Sequence, residues 1–74
     1  MNDAQRQARL MTALQVITEA QDSIQVRTAA AYAHGYIDGL LDEGLLPESA
    51  AEDLKRVAMM RRDKRLSDLR AEPV

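Results

Sequence analysis

The chain has 74 residues, a formal net charge of −2, no cysteine, two tyrosines and one histidine. This length allows one small domain, whose core rarely supplies more than about 3–5 kcal/mol of stability without a partner or a cross-link. The composition excludes disulfides and thiolate metal sites, and the longest apolar run, five residues at 29–33, is far shorter than the ~20 residues of a membrane-spanning helix.

Aromatic residues make up only 3% of the chain, whereas alanine, leucine and long charged residues are frequent. Such a composition is typical of helical bundles and coiled coils. The polar N-terminus lacks the apolar segment of a signal peptide. We therefore expect a soluble, cytoplasmic, all-α protein.

The first helix is predicted to begin at Asn2 or Asp3, since either side chain can cap it. Residues 4–34 contain no glycine or proline, so we predict one long helix that continues to Glu43 and measures about 60 Å. The alternative is a break at residues 21–23, with Asp22 or Ser23 capping a second helix, which gives a monomeric three-helix bundle. We favour the long helix because this stretch lacks the residues that usually form turns.

One face of the long helix is bulky at its N-terminal end and carries alanine and glycine at the other. A reversed copy fits such a face, because large residues then meet small ones and Arg9 meets Asp38. We therefore predict an antiparallel dimeric helical bundle, a homodimer. The predicted dimer seam comprises Leu10, Leu14, Ile17, Gln21, Ile24, Thr28, Ala31, Gly35 and Gly39.

Gly44 is placed to end the long helix in a left-handed cap, and Pro47 follows three residues later. Ser49 and Glu52 fit a capping box, so the last helix is predicted to begin near Ser49. We expect this helix to fold back on the first as a helical hairpin. The predicted hairpin core comprises Tyr36, Ile37, Leu40, Leu41, Leu54, Val57 and Ala58.

Charge is unevenly distributed: residues 38–54 carry six acidic residues and no basic one, whereas residues 55–70 carry seven basic and two acidic ones. Apolar residues become sparse after Met60, so 61–74 are predicted to form a projecting basic helix end and a frayed tail. Removing charge there should leave folding nearly intact. The basic cluster, predicted to bind an acidic protein or nucleic-acid phosphates, comprises Arg61, Arg62, Lys64 and Arg65.

Other candidate sites are weaker. His34, Asp38 and Asp42 lie one helical turn apart, but no second histidine completes a metal site, and we predict neither metal nor cofactor. Tyr32 and Tyr36, also one turn apart, are more typical of helix packing than of a ligand site. The sequence has no cysteine nucleophile and no glycine-rich phosphate loop, so we expect no enzyme.

Two functional hypotheses follow. The first is a homodimeric helical protein–protein interaction module that acts as an adaptor, inhibitor or regulator. The second is a small nucleic-acid-associated regulator that uses the basic helix at residues 55–70. The stretch 32–54 resembles short helical accessory proteins of phages and plasmids, without a motif that assigns a family.

Overall fold

The computed structural model describes residues 2–71, in which it has three helices: α1 (Asp3–Glu19), α2 (Ser23–Asp42) and α3 (Glu48–Ala71). Each helix packs against the other two, and the bundle is 45 Å along its longest axis. The all-α class is confirmed, and the chain forms the three-helix bundle that was the alternative. Homodimerisation stays a prediction. Of the predicted frayed tail, Ala71 is helical and residues 72–74 lie outside the described part.

The first helix ends at Glu19, so the predicted long helix is wrong. Ala20 and Asp22 have extended backbones, with ψ angles of 142° and 170°. The Gln25 backbone N–H donates to the Asp22 carboxylate (2.8 Å), and the Gln21 backbone N–H donates to the Gln25 side chain (2.9 Å). The Gln21 side chain donates to the Glu19 carbonyl (3.0 Å). These side chains satisfy the backbone groups of a turn without glycine or proline.

The second helix ends as the sequence predicted. Gly44 has a φ of 73°, in the left-handed region that favours glycine. The Gly44 N–H donates to the Leu41 carbonyl (3.0 Å), and the Leu45 N–H donates to the Leu40 carbonyl (2.9 Å). These two hydrogen bonds form a Schellman motif.

The starts of α1 and α3 differ in how closely they match the prediction. Asn2 caps α1, and its side chain and that of Gln5 accept from each other's backbone N–H, at 2.8 and 3.1 Å. The helix α3 begins at Glu48, directly after Pro47. Ser49 therefore lies inside the first turn of α3 and does not cap it.

The larger part of the core surrounds the turn between α1 and α2. Leu66 and Leu69 of α3 pack against it. The C-terminal part of α3 is consequently held on the bundle, and the predicted projecting helix end is wrong. The buried residues of this cluster are Ala13, Leu14, Ile17, Ala20, Val26, Ala29, Ala33 and Ala58.

The smaller part of the core lies towards the other end and contains Leu10, Ile37 and Ala51. The predicted hairpin between the second and third helices is present here. Of its predicted core, Val57 is 36% exposed, whereas the other six residues are buried or half-buried. Those six are Tyr36, Ile37, Leu40, Leu41, Leu54 and Ala58. Across residues 2–71, none of the helices has the length and apolar character needed to cross a membrane.

Candidate interaction surfaces

The members of the predicted dimer seam do not share one face of the molecule. Leu10, Leu14 and Ile17 are buried inside the chain, whereas the members from Gln21 to Gly39 are exposed. The break at residues 20–22 reverses the chain direction and lets α2 turn a different stripe towards the core. That buried stripe comprises Val26, Ala29, Ala33, Ile37 and Leu40.

The first two helices alone form an open groove of about 940 Å³, which we call the α1–α2 groove. Its floor includes three buried alanines, whose short side chains leave space above them. Three large apolar side chains are exposed on its walls: Val16 is 48% exposed, Ile24 75% and Tyr32 66%. The full lining is Ala8, Arg9, Thr12, Ala13, Val16, Glu19, Ala20, Ile24, Gln25, Thr28, Ala29 and Tyr32.

Charge in the α1–α2 groove is confined to its two ends. Arg9 lies at one end and Glu19 at the other, with uncharged residues between them. Glu19 accepts a hydrogen bond from the Gln15 side chain (3.0 Å), and Arg9 has no ion pair within residues 2–71. Exposed apolar residues are ordinary when scattered, but a contiguous patch with polar ends marks an interaction surface.

The two tyrosines take different roles. Tyr36 is half-buried against the smaller core cluster, and the Tyr32 ring stacks on it with centroids 6.4 Å apart and planes 14° from parallel. Tyr32 itself remains exposed on the groove wall. The core thus holds an aromatic ring in place at the surface.

The basic cluster is partly used by the fold. The Arg65 Nε donates to the Ala20 carbonyl (2.7 Å), at the C-terminal cap of α1. The Arg62 Nε bonds to Asp63 (3.0 Å), and the Lys64 Nζ bonds to Asp68 (3.2 Å). Arg61 is half-buried. The sequence did not indicate the contact of Arg65, because its partner lies 45 residues away; the cluster's binding role stays a prediction.

A second, smaller groove of about 340 Å³ lies between α2 and α3. It brings Arg27, His34 and Arg62 together with Met59 and three alanines. The His34 Nε2 is buried and has no hydrogen-bond partner. The charged side chains that line this smaller groove, Arg27 and Arg62, are both cationic, whereas the α1–α2 groove carries one cation and one anion.

Asp38, which the sequence paired with Arg9 of a second copy, has an ion-pair partner within its own chain. Within the chain, Asp38 forms an ion pair with Lys55, and Arg6 forms one with Asp3. The Lys55 ammonium donates to the Asp38 carboxylate and lowers the pKa of this carboxyl below its ordinary value. Within residues 2–71, no three His, Cys, Asp or Glu side chains are grouped so that they could hold a metal ion.

No family model, curated protein or solved structure matches the chain.

Proposed function

We propose that the protein is a non-enzymatic helical interaction module, an adaptor, inhibitor or regulator that binds protein through the α1–α2 groove. The observation that carries this proposal is the contiguous exposure of Val16, Ile24 and Tyr32 around a floor of alanines. Fully burying one such side chain is worth about 1.5–3 kcal/mol, so covering all three supplies several kcal/mol of binding energy. The cytoplasmic location stays a prediction from the sequence.

The shape of the groove favours a helical occupant. It is open to solvent and follows two neighbouring helices, of which α1 has 17 residues and is about 25 Å long. A helix laid on such a surface inserts its side chains between the ridges of the two helices. The buried Ala13 and Ala29 allow this close approach.

Site-specific photo-crosslinking in the native host tests the proposal. One variant carries the crosslinker at Thr28, in the groove, and a control carries it at Glu52, which is also exposed but lies on α3 outside both grooves. We expect protein adducts from position 28 and few or none from position 52. Equal yields at the two positions, or no adduct from position 28, would contradict the proposal.

The second candidate function, nucleic-acid binding by residues 55–70, is favoured by the cationic groove that joins Arg27, His34 and Arg62. Its support is weaker because Arg62, Lys64 and Arg65 already bond within the chain. Titration with random duplex DNA at about 50 and 200 mM salt distinguishes the two functions, since phosphate contacts give a steep salt dependence. Absence of binding at the lower salt concentration would remove this candidate.

A further inference from the structure

We infer that the occupant of the α1–α2 groove is the same groove of a second copy, in an antiparallel dimer with twofold symmetry. This inference rests on the proposed function, because it names what the groove of that function binds. The evidence is the self-complementary placement of charge and of large apolar side chains along the groove.

On both helices, the groove is centred at the same level, that is, at the same height along the helix axes. Since α1 and α2 are antiparallel and joined by three residues, positions whose numbers add up to about 42 lie at the same level, as Glu19 and Ser23 do. The lining of α1 is centred on Leu14 and that of α2 on Thr28, which also add up to 42. A twofold axis that lies in the interface and crosses both helices at this level maps the groove onto itself.

This axis brings opposite charges together. It sets α1 antiparallel to α1 of the second copy, so Arg9, five residues before the centre, faces Glu19, five residues after it. The contact occurs twice by symmetry. A twofold axis along the helices would instead bring the two Arg9 side chains to the same level. It would also set Glu19 of one copy over the apolar Ile24 of the other, and this contact would take the Glu19 carboxylate out of water without giving it a partner. Charge therefore selects the antiparallel arrangement.

The apolar side chains follow the same rule. On α2, Ile24 lies four residues before Thr28 and Tyr32 four residues after it, so each Ile24 is covered by the Tyr32 of the other copy. These are the two most exposed large apolar side chains of this face. On α1, Val16 meets the smaller Thr12. The stack on Tyr36 holds the Tyr32 ring ready for this contact.

The area of the face indicates a reversible dimer. Two helices about 10 Å apart and about 25 Å long present a face on the order of 500 Å². Standard stable interfaces bury about 800 Å² per partner, so this contact belongs to the small, weaker class. We expect a dissociation constant in the micromolar range.

Sedimentation equilibrium over about 10 µM to 1 mM tests the dimer, a range set by the micromolar affinity. The wild type should change from its 8.3 kDa monomer to twice that mass. Arg9→Glu and Glu19→Arg should each weaken dimerisation about tenfold, because two like-charge contacts replace two attractive ones. The double variant keeps the composition and net charge of the wild type and should recover most of the affinity.

Two further variants control for folding and location. Ile24→Ser removes an exposed side chain without touching the core, and it should abolish the dimer. At a protein concentration below the wild-type dissociation constant, where both proteins are monomeric, its helical circular dichroism and thermal melt should stay close to wild type. Glu52→Arg, on α3 outside the groove, should leave the dissociation constant unchanged. A wild type that stays monomeric at 1 mM, or charge reversals whose effects simply add in the double variant, would overturn the inference.

The two proposals fail in different ways. Crosslinks from Thr28 to a different protein, with a monomeric chain, would overturn the dimer and leave the groove as a docking surface. A dimer that Ile24→Ser and the charge reversals do not weaken would also overturn the inference. Neither a dimer nor any adduct at position 28 would overturn both.

Discussion

At the residue scale, the three glycines occupy two kinds of position, and substituting them should have opposite effects. Gly35 and Gly39 lie inside α2, and an added Cβ would meet nothing within 4 Å. Gly35→Ala should raise the free energy of unfolding by about 0.5–1 kcal/mol through helix propensity. Gly44→Ala should lower it by about 1 kcal/mol, because alanine is strained at a φ of 73°. Urea unfolding measures both.

The Gly35→Ala variant also tests the predicted dimer seam. The seam placed a bulky residue of a second chain against Gly35, whereas the groove dimer sets Gly35, which lies outside the groove lining, at the edge of the interface. A loss of stability on Gly35→Ala would indicate a close neighbour there and would contradict the arrangement through the α1–α2 groove.

The Asp38–Lys55 ion pair should make stability depend on pH in acid. Lys55 lowers the pKa of the Asp38 carboxyl below 3.8, so the charged carboxylate favours the folded chain. This contribution is complete above the unfolded-state pKa and is lost as the pH falls through the lowered folded-state pKa. Asp38→Asn should therefore lower the free energy of unfolding at neutral pH, and the difference from the wild type should shrink as the pH falls through the lowered folded-state pKa. A constant difference between the two proteins at all pH values would contradict this assignment.

At the scale of the helices, one arginine of α3 stabilises the end of α1. Arg65→Met keeps most of the side-chain stem but removes the donor to the Ala20 carbonyl. We expect a loss of about 1–2 kcal/mol, since a part-buried carbonyl is left without its charged partner. Lys64→Met, one residue earlier and exposed, should change stability by less than about 0.5 kcal/mol. Equal effects in thermal melts would show that the Arg65 bond contributes little.

The Arg65 contact changes how the basic cluster should be tested. Neutralising all four cations was expected to leave folding nearly intact, but Arg65 bonds to the backbone of α1. If such a variant lost partner binding, the loss could come either from the missing charges or from a less stable fold. Substituting only Arg61, Arg62 and Lys64 removes this ambiguity.

The helix ends show what the sequence could predict. Asn2 and Gly44 act on backbone groups within a few residues, so their local pattern was sufficient. The break after Glu19 depends on hydrogen bonds of the Gln21 and Asp22 side chains, together with the hydrogen bond that distant Arg65 donates to the Ala20 carbonyl. No local sequence pattern indicated that these bonds together would favour a break over a continuous helix. Continuous helical periodicity therefore gave the right class of fold and the wrong chain path.

The groove depended on that path. Val16 belongs to α1, whereas Ile24 and Tyr32 belong to α2, and they line one surface only because the chain reverses between them. On a continuous helix Ile24 was assigned to a seam with Leu10 and Leu14, which in fact lie in the core. The predicted seam therefore contained two residues of the groove lining, Ile24 and Thr28, but sequence reasoning did not find the surface they belong to.

At the scale of the whole molecule, the core buries little apolar surface. Six of the twelve buried apolar residues between positions 2 and 71 are alanines, which bring the helices close together but bury little apolar area each. Larger side chains such as Ile24 and Tyr32 remain outside it. A second copy on the α1–α2 groove would cover them and add stability that a single small chain lacks.

The reversal of the chain between α1 and α2 can be measured directly, because the absence of native cysteine allows two spin labels at chosen sites. Gln7 and Gly35 are exposed and add up to 42, so they lie at the same level of neighbouring helices. We expect a label separation below about 30 Å, given an interaxial distance of about 10 Å and two label arms. A continuous helix would separate the same positions by about 42 Å. Pulsed electron–electron double resonance measures this separation, and diluting the labelled chain with unlabelled chain ensures that only the distance within one molecule is reported. A value near 42 Å would contradict the three-helix bundle.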